Sequence, residues 1–187
     1  MGCWGITAFE PDTGLDAVGL IRKNLPENGK LELGKIIEVM QAERWLVPDT
    51  DDAYHHTGPM ALAETIVKFL DRDFSDLDYD EDWAKKDKKF SSVTSFTSSK
   101  ESIQWLRDYI SDTLKYAKEN AMLSAEHAAD ECDKQGEWFK ESDWIDWQNH
   151  MSALVNRMDT ILTLPENQID LLQLLGQETG PIMGQSF

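Results

Sequence analysis

From Ser98 to Ala121 the chain reads SSKESIQWLRDYISDTLKYAKENA. Ile103, Leu106, Ile110, Leu114, Ala117 and Ala121 return every three or four residues, which lays one apolar stripe along a helix. Ser98 with Glu101 fits a capping box at its start. The stripe continues through Ala125, Ala128 and Cys132 to Gly136, so the spacing predicts one helix of about thirty residues.

The same period recurs on both sides. Asp12 can cap a helix that carries Leu15, Val18, Ile21 and Leu25 and stops at Pro26. A second helix is expected from Leu31 to Arg44, with Leu33, Ile36, Ile37 and Met40 on one face. Pro59 opens a third, which buries Leu62, Ile66, Phe69 and Leu70. Ser142 caps a helix bearing Met151, Leu154, Met158 and Ile161, and Pro165 opens a last one from Glu166 to Leu175. No alternating strand pattern stands out; Val93 to Phe96 is the one β-like scrap, and Cys3 to Phe9 could pair with something. The expected fold is mainly α, a single domain over 1–187 of five to six packed helices, with a long acidic and Ser/Thr-rich insertion at 71–98 and a loose tail at 177–187.

The chain has 187 residues and a net charge of −17. That sign repels phosphate and anionic lipid, so neither nucleic acid nor a membrane surface is an expected partner. No run of about twenty apolar residues spans a bilayer, and no basic start with an apolar stretch reads as a signal peptide. Ile6 stands where a myristoylation signal wants Ser or Thr. Cys3 and Cys132 are far apart and form no metal-binding spacing, which suits a reducing compartment; a cytoplasmic protein is expected.

No catalytic residue, metal site or cofactor motif emerges. Asp76, Asp78 and Asp80 occupy the first ligand positions of a calcium loop, but Glu81 stands where Gly is needed and Asp87 where a bidentate Glu is needed. His55-His56 beside Asp51 and Asp52 lacks a third ligand at a useful spacing and reads as a surface loop, and His127 and His150 read as polar-face helix residues. There is no nucleophile elbow, phosphate loop or dinucleotide fingerprint.

Aromatic residues interleaved with acids are the more telling pattern. One set is Asp76, Asp78, Tyr79, Asp80, Asp82 and Trp83; a second is Asp143, Asp146 and Trp147. Flat aromatic anchors ringed by carboxylates suit a basic protein partner, with fast, salt-sensitive association. The charge is not confined to the insertion: five lysines between Lys85 and Lys100 offset most of the acids from Asp71 to Asp82, so the helical body is itself acidic.

Met1-Gly2-Cys3-Trp4-Gly5, followed by Phe9-Glu10, Asp12 and Leu15-Asp16-Ala17, carries a resemblance. It resembles a bacterial family of unknown function whose members open with Met-Gly-x-Trp-Gly, then Phe-(Asp/Glu)-x-Asp and a short Leu/Ala-Asp helix. Ala61 to Val67 looks like that family's alanine-rich helix, and Trp147 to Met158 loosely fits its closing one. The resemblance covers about the first seventy residues and part of the end. Trp4 and Phe9 read as packing residues against the first helices.

In character the chain is similar to the immunity proteins that neutralise contact-dependent or polymorphic toxins. The expectation is an immunity protein that covers the cationic surface of a toxin domain, a nuclease (RNase, tRNase or DNase) by its need for phosphate. The alternatives are a small carboxylate-dependent hydrolase and an acidic adaptor for a basic regulatory protein.

Overall fold

The computed structural model describes residues 6–50, 57–74, 77–78, 88–127 and 141–174, without the side chains of 120–127 and 141–142. The first helix, α1 (Asp12–Lys23), holds an acid in its first turn and Arg22 and Lys23 in its last, as the helix dipole favours. Asp12 does not cap it. Pro11 holds the cap position in extended conformation, and its carbonyl accepts from the Gly14 and Leu15 amides. Ala17, Val18 and Ile21 face inward, and so does Gly14, for a definite reason. A methyl at Gly14 would lie 1.6 Å from the carbonyl oxygen of Ala8, so the incoming backbone rests directly on the helix there.

Leu31 belongs to a strand rather than to a helix. β1 (Lys30–Glu32) runs directly into α2 (Leu33–Ala42), whose Leu33, Ile36, Ile37 and Met40 are buried as the periodicity predicts. α3 (Thr57–Asp71) starts with Pro59 in its first turn and buries the expected Leu62, Ile66, Phe69 and Leu70.

The region expected as an insertion contributes to the core at its described positions. Leu77 and Phe90 are fully buried, a short 3-10 turn spans Phe90–Ser92, and β2 (Ser95–Ser99) follows. Phe69 is the hub: its ring meets those of Phe74, Phe90 and Phe96 edge-on at 5.0, 6.1 and 4.9 Å. Such clusters add roughly 0.5–1.5 kcal/mol per pair beyond the area they bury.

α4 (Lys100–His127) follows the predicted stripe; its expected continuation through Ala128 and Cys132 to Gly136, like the expected loose tail at 177–187, lies outside the described residues. Its cap lies one residue later than expected. The Ser99 hydroxyl accepts the Ser102 amide at 3.2 Å, while the Ser98 side chain is buried. α5 (Glu141–Leu162) packs on α4, and Arg107 of α4 bonds Asp159 of α5 at 2.9 Å.

The expected last helix over 166–175 is a correction: Gln168–Asp170 forms β3. Between Pro165 and Gly176 there is room for barely three turns, too short to hold itself, whereas pairing with β2 gives the backbone partners and buries Ile169. The sheet order is β1-β2-β3, with β1 parallel to β2 (Leu31↔Phe96) and β3 antiparallel to it (Ser98↔Ile169). The molecule is thus mostly helical, with five α-helices and a small three-stranded sheet among the described residues, and one hydrophobic core draws on all of them. None of these helices is long and apolar enough to cross a membrane.

Candidate functional site

The second acid–aromatic set falls on the first half of α5. Trp144 and Trp147 are one turn apart, and their rings stack at 5.4 Å with 14° between planes. Both are half-buried, and Trp147 packs on the edge of the core. Ile145 between them is 49% exposed, and Asp146 is exposed beside it. Asp143 is half-buried one turn before Trp147. Asp143 and Trp147 therefore share one face of α5, while Ile145 and Asp146 project from the exposed side of the same turn.

Of the first set, Asp78 alone lies among the described residues; Asp76, Tyr79, Asp80, Asp82 and Trp83 lie outside them. The Asp78 carboxylate accepts the Phe90 amide at 2.6 Å and the Ser91 amide at 2.8 Å. Those bonds hold the first turn of the Phe90–Ser92 segment, in the manner of a helix N-cap. Each oxygen thus takes one backbone amide, which gives Asp78 a role in holding this turn. His55, His56, Asp51, Asp52, Cys3 and Cys132 also lie outside the described residues, and within these no three His, Cys, Asp or Glu side chains could hold a metal ion.

One turn beyond Trp147 stands His150, which the sequence reading placed on a polar face. Its Nε2 lies 2.6 Å from Oε1 of Glu64 on α3. The same Oε1 accepts the Ala8 amide at 2.8 Å. Glu64 thereby ties three parts of the chain together: the segment before α1, α3 and α5. Its side chain is only 6% exposed and that of His150 is 25% exposed, so the pair spans the step from core to surface.

The pair forms one wall of a cavity of about 650 Å³. Phe9, Leu15, Val67 and Leu154 give it apolar sides. Around its rim Lys68 meets Asp73 at 3.3 Å, Asp71 meets Arg157 at 3.3 Å, and Glu10 accepts the Thr7 amide at 2.9 Å. Lys68 also sits 5.8 Å over the Phe9 ring.

Chemically, a carboxylate bound to one nitrogen of an imidazole fixes its tautomer and ring orientation. Such a pair can hold a polar ligand or shuttle a proton. The missed signal for Glu64 is local: it is an acid inside Ala61-Leu62-Ala63-Glu64-Thr65-Ile66, where every neighbour is buried. An acid in the middle of a fully buried helix face needs a partner, and the partner is His150.

No family model matches this chain, and no curated protein or solved structure matches it either.

Proposed function

We propose that this chain is an immunity protein, which binds a bacterial toxin domain and blocks it by covering a cationic substrate surface. A nuclease is the favoured target, because a surface that binds phosphate is basic and a protein of charge −17 complements it. The observation that carries the reading is the stacked, half-buried Trp144–Trp147 pair on α5, whose outer side carries exposed Ile145 and Asp146. Tryptophan is enriched at interface hot spots, where a large rigid ring seats in a partner pocket inside a rim of charges. Asp143, Asp146 and Trp147 are the proposed contacts here. Asp76, Tyr79, Asp80, Asp82 and Trp83 are the proposed second acidic arm, with Asp78 reassigned to supporting the Phe90–Ser92 turn.

The test uses the C-terminal domain of the protein encoded immediately upstream. An equimolar amount of this chain abolishes that domain's nuclease activity. Trp147→Ala raises Kd by about tenfold or more, as loss of ~1.4 kcal/mol requires. Asp143→Lys with Asp146→Lys slows association and flattens its dependence on salt. Uninhibited nuclease, or binding indifferent to all three changes, refutes the proposal.

One observation favours a second reading. The Glu64–His150 pair in its cavity is the arrangement that a carboxylate-dependent hydrolase would use. His150→Asn would then abolish hydrolysis while leaving toxin inhibition intact.

A further inference from the structure

The chain has six asparagines, and Asn28 alone precedes a glycine. Pro26, Glu27, Asn28 and Gly29 form a turn between α1 and β1, closed by the Gly29 N–H on the Pro26 carbonyl at 3.2 Å. Gly29 has a φ of +69°, in the left-handed region that a residue without Cβ enters freely. Asn28 is exposed, so water and hydroxide reach its side-chain amide. Its Oδ1 accepts the Lys30 N–H at 3.0 Å.

These contacts assemble the parts of a ring closure. The Gly29 nitrogen follows Asn28 directly, and no Cβ on Gly29 crowds its approach to Cγ. When that side-chain carbonyl is attacked, negative charge develops on Oδ1, the atom that already carries the Lys30 N–H. A donor held on a developing oxyanion lowers the barrier, because nothing must reorganise as the charge appears. One restraint opposes the step: attack breaks the Gly29 bond to Pro26, which at 3.2 Å is at the long end of the usual range. The other described asparagines lack this combination. Asn24 and Asn167 precede Leu25 and Gln168, whose side chains shield the nitrogen, and Asn149 and Asn156 lie inside α5, where the helix ladder holds the next amide.

The geometry points to Asn28 as a site of spontaneous deamidation in the folded protein, and to isoaspartate there as a change that loosens β1 from β2. The Gly29 nitrogen, having given its proton to hydroxide, forms a bond to Asn28 Cγ. The bond from Cγ to Nδ2 breaks, ammonia leaves with a proton from water, and a cyclic succinimide remains. Water then opens the ring. Cleavage between Cγ and nitrogen gives aspartate; cleavage at the main-chain carbonyl gives isoaspartate, whose main chain runs through Cγ and is one atom longer. In sum an amide and a water become a carboxylate and an ammonium ion, with nothing oxidised or reduced.

The extra atom enters at the joint of the sheet. The Gly29 carbonyl accepts the Thr94 and Ser95 amides at 2.8 and 3.2 Å and the Thr94 hydroxyl at 3.3 Å. Even a methyl on Gly29 would lie 3.0 Å from the Ser92 carbonyl oxygen, so the turn has little room for a longer chain. Aspartate, by contrast, keeps both the chain length and an acceptor for Lys30. The inference does not rest on the toxin reading.

The experiment incubates the full chain at mildly alkaline pH, folded in one arm and unfolded in guanidinium chloride in the other, and follows each asparagine by peptide mass mapping. When the unfolded chain has converted completely at Asn28, most of the folded chain should have converted there too, faster as pH rises and with isoaspartate among the products. Asn28→Gln, whose longer side chain closes the ring far more slowly, should abolish the mass change at this exposed position. The isoaspartyl form, separated by chromatography, should exchange its Thr94 and Ser95 amides about tenfold faster than the parent. Freshly made Asn28→Asp should exchange them as the parent does. An Asn28 that stays intact in the folded chain while the unfolded chain converts overturns the site. Unchanged exchange at Thr94 and Ser95 in the isoaspartyl form overturns its effect on the sheet.

Discussion

Two glycines five residues apart in α1 should respond to alanine with opposite sign. At Gly14 an added methyl would sit 1.6 Å from the Ala8 carbonyl oxygen and 2.7 Å from its carbonyl carbon. Both are backbone atoms with no rotamer to change. To reach an ordinary contact, the Ala8 segment must retreat by well over 1 Å, a distance larger than any hydrogen bond tolerates. The bond that breaks is Ala8 N–H to Glu64 at 2.8 Å, which leaves a buried carboxylate short of a donor.

A hydrogen bond to a charged group contributes about 1.5–3 kcal/mol. Displacing the fully buried Ala8 adds to the loss. Against it stands the helix preference of Ala over Gly, about 1 kcal/mol. The balance is a net destabilisation of about 1–2 kcal/mol, or a melting temperature lower by roughly 2–8 °C for a chain of this size.

At Gly19 an added methyl meets nothing within 4 Å, so only the helix preference remains. That variant should be more stable than the parent by about 0.5–1 kcal/mol. Urea denaturation of the three proteins, with unchanged slopes, measures both values. A Gly14→Ala protein as stable as the parent, or two variants shifted alike, would refute the close approach of Ala8 to α1.

Other outcomes follow from single contacts. Glu64→Ala should destabilise more than His150→Ala, because it orphans the Ala8 amide as well as the imidazole, and the double-mutant cycle should return a coupling of about 1–3 kcal/mol in urea melts. Asp78→Ala should lower stability by about 0.5–2 kcal/mol and speed hydrogen exchange at the Phe90 and Ser91 amides. The Glu101 carboxyl is held below the usual range by its own backbone N–H and by the Ser99 hydroxyl. Its lowered value means that the ionised form stabilises the start of α4 above the ordinary carboxylate range, and that this help is lost on acidification through the folded value. Ser99→Ala should therefore move its titration upward toward the ordinary value, as carbon-detected NMR would register.

Helix positions were legible because each helix has a stripe that shows in the residues themselves, as at Ile103, Leu106, Ile110 and Leu114, all buried. The strands were legible only where the β-like Val93–Phe96 overlaps β2 at Ser95 and Phe96, and otherwise hidden for three separate reasons. Leu31 continues the apolar pattern of α2, so nothing local separates β1 from the helix behind it. β2 does alternate, with Phe96 and Ser98 inward, but a buried serine looks polar on the page. β3 owes its shape to its partner: without Ser98 opposite Ile169, the residues after Pro165 read as one more helix start. Pairing between distant segments overrode local preference each time. The acid–aromatic stretch of α5 was visible because its residues are neighbours in sequence. The Glu64–His150 pair was not, because 86 residues separate its members and each alone looks like an ordinary polar residue.

The sheet gathers residues 30–32, 95–99 and 168–170, one strand from each third of the chain. Its central strand is also the one that α4 grows from, through Ser99 and Lys100. While the chain is being made, β2 has β1 to lie against but presents a bare edge until Asp170 has left the ribosome. That edge is Ser/Thr-rich and nearly free of charge from Ser91 to Ser99, the kind of strand that invites a neighbour's strand instead. Loops that long close slowly, so the sheet is completed among the last contacts rather than the first. A product shortened before β3 would keep most of its helices and yet lose the one segment that seals this edge, and its fate would be association with its own kind rather than simple unfolding.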